Sequence, residues 1–244
     1  MGADAALLLL ADSRLPAGGH AHSGGVEEAV RLGAVTGTGD LARFLRGRLA
    51  TAGLVAAALA AAACELAAAG DPADDPADDP ADGVELWRQL DAEADARAAS
   101  PAQREAARTQ GRLLLRTARR MWPSAALDTL ARAVPEGPHH PVALGAAGAS
   151  AGCTPRQAAL AAAYTSVTGP ATAAVRLLGL DPVTVHRLLA DLAPALDDAA
   201  HAACASLGDA ARQGRWHALP GHSAPALDLL AEGHLTNPMK LFVS

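Results

Sequence analysis

LARFLRGRLATAGLVAAALAAAACELAAA, Leu41 to Ala69, is the stretch on which the fold class turns. Asp40 stands where an N-cap belongs, and Leu41, Phe44, Leu45, Leu49, Leu54 and Leu59 supply the larger apolar positions among Arg43, Arg46 and Arg48. After Ala50 the pattern dissolves into alanine, the best helix former and a poor strand former. Half of the chain is hydrophobic while only 2% is aromatic, and alanine makes up the difference. An all-α protein is predicted, with helix axes in close approach because small side chains allow it. The longest uncharged run, Leu49 to Cys64, is shorter than the ~20 residues a membrane span needs, so a helix packed inside a soluble protein is expected there.

On the N-terminal side lies LLLLADSRLPAGGHAHSGGVEEAVR, Leu7 to Arg31. An apolar helical turn breaks at Asp12-Ser13, and a new helix opens at Val26-Glu27-Glu28. Between them, four glycines and a proline fall within ten residues. Glycine is retained where φ must be positive or another backbone comes close, so this loop reads as a shaped surface rather than a linker. Glu27 and Glu28 in the first helical turn favour the positive end of the helix dipole.

On the C-terminal side, residues 71–82 repeat DPAD three times. Asp before Pro disfavours helix, and the run has nothing to bury, so 71–83 is expected to be a mobile acidic loop. Helix returns at Val84 to Ala98. Ser100-Pro101-Ala102-Gln103 is a strong start for a helix to Met121, and Ser124 to Val134 follows. Pro135 to His140 cannot be helical, and Pro141 to Ala151 is a segment of small residues. Thr154-Pro155-Arg156-Gln157 repeats the capping signature and opens a helix to Thr168. Gly169-Pro170 is expected to break or kink it before Ala171 to Leu178. Asp181-Pro182 caps a helix from Val183 to Ser206, with Pro194 as a kink. Residues 213–244 read as a flexible tail with an apolar end, Leu241-Phe242-Val243. Together this is a single domain over 1–244, a bundle of about eight to ten helices.

A net charge of −6 argues against a nucleic-acid surface. Cys64, Cys153 and Cys204 are odd in number and form no CxxC, which suits a reducing cytoplasm. The acidic start Met1-Gly2-Ala3-Asp4 does not fit an export signal. No Gly-x-Ser-x-Gly elbow, HExxH or paired-carboxylate pattern supports an enzyme. Thr36-Gly37-Thr38-Gly39-Asp40 lacks the lysine and preceding strand of a phosphate loop and reads as a helix start.

Several segments, in order, resemble the UreF family of urease accessory proteins. Leu15, Pro16, Ala17, Gly18, Gly19, Ser23, Gly25, Val26 and Glu27 are similar to its N-terminal signature, L-P-[VA]-G-[GA]-F-S-[YH]-S-x-G-[LV]-E. His20 stands in place of the usual Phe, Ala21 of Ser, His22 of the more frequent Tyr, and Gly24 of Gln. Ser100 with Arg104, then Gln110-Gly111-Arg112-Leu113-Leu114, resembles the family's central helix. His140 to Gly145 resembles its H-x-x-P-V-A-[FL]-G segment, and Ala163-Tyr164 with Ala173 to Leu177 its next helices. Gly169-Pro170 departs from the usual Asn-Gln pair. Ser223 to Asp228, His234 and Leu241 to Ser244 are similar to the family's ending.

The resemblance implies a non-enzymatic, cytoplasmic scaffold without a resident cofactor. As a homodimer it would join UreD (UreH in some organisms), recruit the GTPase UreG and support GTP-dependent nickel insertion into the urease apoprotein, with nickel at most in transit. Partner surfaces are expected at Leu15, Pro16, Gly18, Gly19, His20, His22, Ser23 and Glu27 in the loop, and at His234, Leu241 and Phe242 in the tail. Arg104, Arg112 and Arg176, at positions matching the family's, are expected in buried pairs or at a partner face. A different reading is a nickel or zinc carrier using His20-x-His22, since neutral imidazole suits both metals. Against it stand two loop histidines that bond backbone or face a partner. His139-His140 are expected to cap or hydrogen-bond, and Cys153 to be a buried small residue.

Overall fold

A computed structural model describes residues 2–69, 80–208 and 214–244. Among these there are helices and loops and no strand. We number the helices α1 (Ala3–Ala11), α2 (Val26–Arg31), α3 (Thr38–Ala69), α4 (Pro80–Ala96), α5 (Pro101–Met121) and α6 (Ala125–Ala133). They continue as α7 (His140–Ser150), α8 (Pro155–Leu178), α9 (Pro182–Asp191), α10 (Ala193–Ala205) and α11 (Pro225–Leu235). Most of the expected acidic loop lies outside the described residues. Its end does not, because α4 begins at Pro80, a residue suited to the first turn of a helix.

The all-α expectation holds, and alanine accounts for the architecture. The apolar half of α3 is the axis of the bundle, packed against α7, α8 and α10. Ala57, Ala58 and Ala60 to Ala63 have no exposed surface, and Cys64 is equally buried. By length and hydropathy α3 could cross a membrane, yet 67% of its most apolar window is buried inside the protein. It is the core helix. The approach of α7 to α3 is set by Gly145, where an added Cβ would stand 2.1 Å from the Ala60 carbonyl oxygen. Gly111 of α5 plays the same part against Pro138, whose carbonyl oxygen lies 1.9 Å from the position of a Cβ.

The capping signatures work as expected. Ser100 Oγ accepts from the Gln103 N–H, Thr154 and Gln157 form a reciprocal capping box, and Asp181 accepts from Val183 and Thr184 N–H. Pro141 to Ala151 is helical over most of its length as α7, with His139 as N-cap. Pro194 does more than kink: it sits in the first turn of a separate helix, α10, after a break at Leu192. Conversely, α8 runs unbroken through Pro170. Proline lacks the N–H that would satisfy the carbonyl four residues back, here that of Ser166. Arg48 supplies the missing donor, its Nε–H lying 2.8 Å from Ser166 O.

The tail differs most from expectation. From Gly214 onward it is ordered against the bundle: Trp216 and Phe242 are buried and α11 packs on α5 and α2. Arg97 holds its start by donating to the carbonyls of Trp216, Leu219 and Pro220 at 2.9–3.1 Å.

Gly145→Ala is expected to destabilise the fold by about 1–3 kcal/mol despite alanine's higher helix propensity, because the methyl group has no room. Gly47→Ala, on the exposed side of α3 with nothing within 4 Å of the new Cβ, is expected to stabilise by up to about 1 kcal/mol. Urea denaturation midpoints of the two variants, moving in opposite directions, check the packing argument.

Candidate functional site

Two positive-φ glycines turn the first loop into α2: Gly24 at +60° and Gly25 at +90°. The turn places Glu27 and Glu28 at the helix N-terminus, facing inward, at 5% and 1% exposure. A buried carboxylate must be hydrogen-bonded or it is costly. Glu28 pairs with Arg31 through two bonds, at 2.5 and 2.7 Å, and the arginine holds its carboxyl below the usual range. Glu27 turns to the tail instead. Its Oε1 accepts the Leu241 N–H at 2.6 Å and its Oε2 the Phe242 N–H at 3.1 Å.

Around this fork the last residues lie along the loop. Val243 N–H donates to Ala21 O at 2.8 Å, and Ser23 N–H to Ser244 O at 2.5 Å. His22 Nδ1 shares a hydrogen bond of 2.5 Å with Ser244 Oγ. The Phe242 ring is buried with the Arg176 guanidinium 5.1 Å above its centroid, within cation–π range. His234 is buried beside them; its Nε2 lies 3.2 Å from Phe242 O and its Nδ1 3.7 Å from Glu27 Oε2. The helix that carries His234 is fixed to α5 by carboxylates. Glu232 accepts from Ser100 Oγ at 2.5 Å and from Ala102 N–H at 3.0 Å, which holds its carboxyl below the usual range. Asp228 accepts from Ser100 N–H at 3.1 Å.

Seen from outside, the seam is apolar. Phe242 points in, while Met239, Leu241 and Val243 are 86%, 67% and 60% exposed. Behind it lies a cavity of about 650 Å³, whose wall includes His22, Arg48, His140 and Ser244. Burial, and secondarily a neighbouring histidine, pushes His22 and His140 down to about 4. Both are therefore neutral at pH 7.

Most of the residues singled out in the loop and tail meet here, His22, Ser23, Glu27, His234, Leu241 and Phe242, joined by Arg176 of α8. Pro16 and Gly18 hold the other end of the loop to α5, through Thr117 Oγ1 on Pro16 O at 2.9 Å and through Leu113 beneath Gly18. Leu15 is half-buried and Gly19 and His20 are exposed beside them. Arg104 and Arg112 are elsewhere. Arg104 donates to the carbonyls of Ala98 and Ala99, and Arg112 to that of Glu136. His139 is buried and bonds Asp95 at 2.8 Å. His20 and His22 gain no further ligand: among the described residues no three His, Cys, Asp or Glu side chains are placed to hold a metal ion. Arg48 was not singled out, although its spacing after Leu41, Phe44 and Leu45 puts it on the buried stripe of α3.

Comparison with known proteins is consistent along the chain. A family model described as UreF matches residues 35–193. A protein of Mycobacterium sp. (strain JLS) named urease accessory protein UreF is 47% identical, over 98% of this chain and 97% of its own length. Proteins of the same name from Mycolicibacterium vanbaalenii and Mycobacterium marinum are 43% and 44% identical, over 98% of both chains in each case.

The two depressed histidines give a signed prediction. An unfolded chain takes up protons at these residues near pH 6.5, the folded one only near pH 4, so their contribution is full above about pH 6.5 and is lost as pH falls towards 4. The urea midpoint should therefore decline from about pH 7 to about pH 4.5, and His140→Leu should flatten that decline.

Proposed function

This chain belongs to the UreF family of urease accessory proteins, a non-enzymatic family, and on that premise we propose that it is a scaffold whose loop and tail seam is the docking face for its partner chain. The observation that carries this is the convergence at Glu27. One buried carboxylate joins segments 214 and 215 positions apart and leaves Met239, Leu241 and Val243 exposed in a row. Large apolar side chains held out on a fixed backbone are what a partner's surface can bury, and few such residues carry most of an interface's affinity.

In this reading the chain acts in the cytoplasm as a homodimer. Its partner is UreD (UreH in some organisms), and together they recruit the GTPase UreG and support nickel insertion into the urease apoprotein. Nickel would pass as cargo. Coupling of nucleotide state to metal release requires the assembly to bind the two states of the GTPase with different affinity. A scaffold needs no catalytic group of its own. It needs a rigid frame, which the alanine-packed helices provide, and a surface whose shape depends on few bonds, which the seam provides.

The test is co-expression with a UreD-type chain, affinity purification and mass by light scattering. The wild type is expected to give a complex holding two copies of this chain. Leu241→Asp and Met239→Asp, both on exposed side chains, are expected to weaken capture about tenfold or more with an unchanged helical circular-dichroism spectrum. Capture by both variants at wild-type level would overturn the proposed face.

A further inference from the structure

Arg48 leaves α3 at the start of a π-helical stretch, Leu49–Gly53. Such widened turns occur frequently at functional sites. The guanidinium enters the bundle and binds two carbonyls, Ser166 O through Nε at 2.8 Å and Gly24 O through Nη1 at 2.8 Å. A guanidinium has five N–H donors, so most remain after these two bonds. Among the described residues no carboxylate lies within salt-bridge distance of it. Burial pushes it down to about 10, which still leaves it charged at pH 7.

Arg48 also forms part of the wall of the 650 Å³ cavity. The acidic groups on that wall are Asp12, Asp228 and the terminal carboxyl of Ser244, which takes the Ser23 N–H at 2.5 Å; the wall has no glutamate. Both aspartates are engaged, Asp12 by Arg14 at 2.7 Å and Asp228 by the Ser100 N–H. The histidines His22 and His140 on the wall are neutral at pH 7. The Ser23 hydroxyl, next in sequence to the Gly24 carbonyl that Arg48 holds, is fully buried and has no hydrogen-bond partner. A half-buried charge with no carboxylate within salt-bridge distance, with donors to spare and space beside it, is the chemistry of an anion receptor, since arginine binds planar and tetrahedral oxyanions through paired N–H groups.

We propose that the cavity is a binding site for a small free oxyanion, of the carboxylate, carbonate or phosphate type, anchored on Arg48. The structural role of Arg48 at Pro170 is compatible with this, because the stitch to Ser166 fixes the guanidinium plane and pre-orients the remaining donors. The site lies within this chain and does not depend on the partner face proposed above.

The test titrates the purified wild-type chain with sodium bicarbonate, sodium acetate and inorganic phosphate, each against chloride at matched ionic strength. Heat of binding and thermal unfolding midpoint are the readouts. At least one oxyanion is expected to bind saturably at one site per chain and to raise the midpoint by about 3–5 °C at tenfold excess over its Kd. Arg48→Met is expected to abolish the response and Arg48→Lys, which keeps the charge and loses the fork, to weaken it about tenfold. Arg46→Gln, an exposed arginine on the same helix, should leave it unchanged. If Arg48→Met does not fold, the lysine variant carries the comparison. No saturable response to any of the three anions in the wild type would overturn the proposal, and so would wild-type binding by Arg48→Lys.

Discussion

The buried carboxylate of Glu27 is the constraint on which the seam between loop and tail depends. A charge at this depth is tolerated only when its oxygens are filled, and the donors that fill them are the amides of Leu241 and Phe242. That need orders the tail along the loop. The same need fixes the shape of the loop, because Gly24 and Gly25 must take positive φ to turn Glu27 inward. It also explains the close fit of the last helix: an added Cβ on Gly233 would stand 2.7 Å from Glu28 Oε1. One helical turn with two inward glutamates thus positions the first loop, the helix from Pro225 to Leu235 and the apolar row beyond it.

The seam contrasts with the frame that carries it. The frame is held by many small contacts among alanines and glycines of α3, α7 and α8, where helix axes come close and little can shift without a clash. The seam is held by a few directional bonds between segments far apart in sequence. Elements secured in this way open more readily than a packed core.

What was legible in the sequence was local. Ser100, Thr154 and Asp181 announce their helices because a cap and the amides it satisfies lie within three residues of each other. The alanine content announced the fold class because propensity is summed residue by residue. The continuity of α8 through Pro170 was not legible, since the donor that rescues the Ser166 carbonyl comes from Arg48, 118 positions away. The order of the tail was hidden for the same reason: composition shows its prolines and glycines, while the groups that hold it sit on α2, just after α4 and at the start of α5. The loop and tail residues were found through the family resemblance. That resemblance could not show that they meet, nor that Arg104 and Arg112 bind carbonyls away from the seam, of Ala98 and Ala99 and of Glu136.

Hydrogen exchange at the amides of Leu241 and Phe242, read by NMR in the wild-type chain and in Glu27→Gln, tests the account most directly. Both amides are expected to be protected in the wild type and to exchange about tenfold or more faster in the variant, together with Ser23 and Val243 across the seam. Exchange at unstructured-chain rates in the wild type, or protection that Glu27→Gln leaves untouched, would contradict the claim that this one carboxylate holds the tail to the loop.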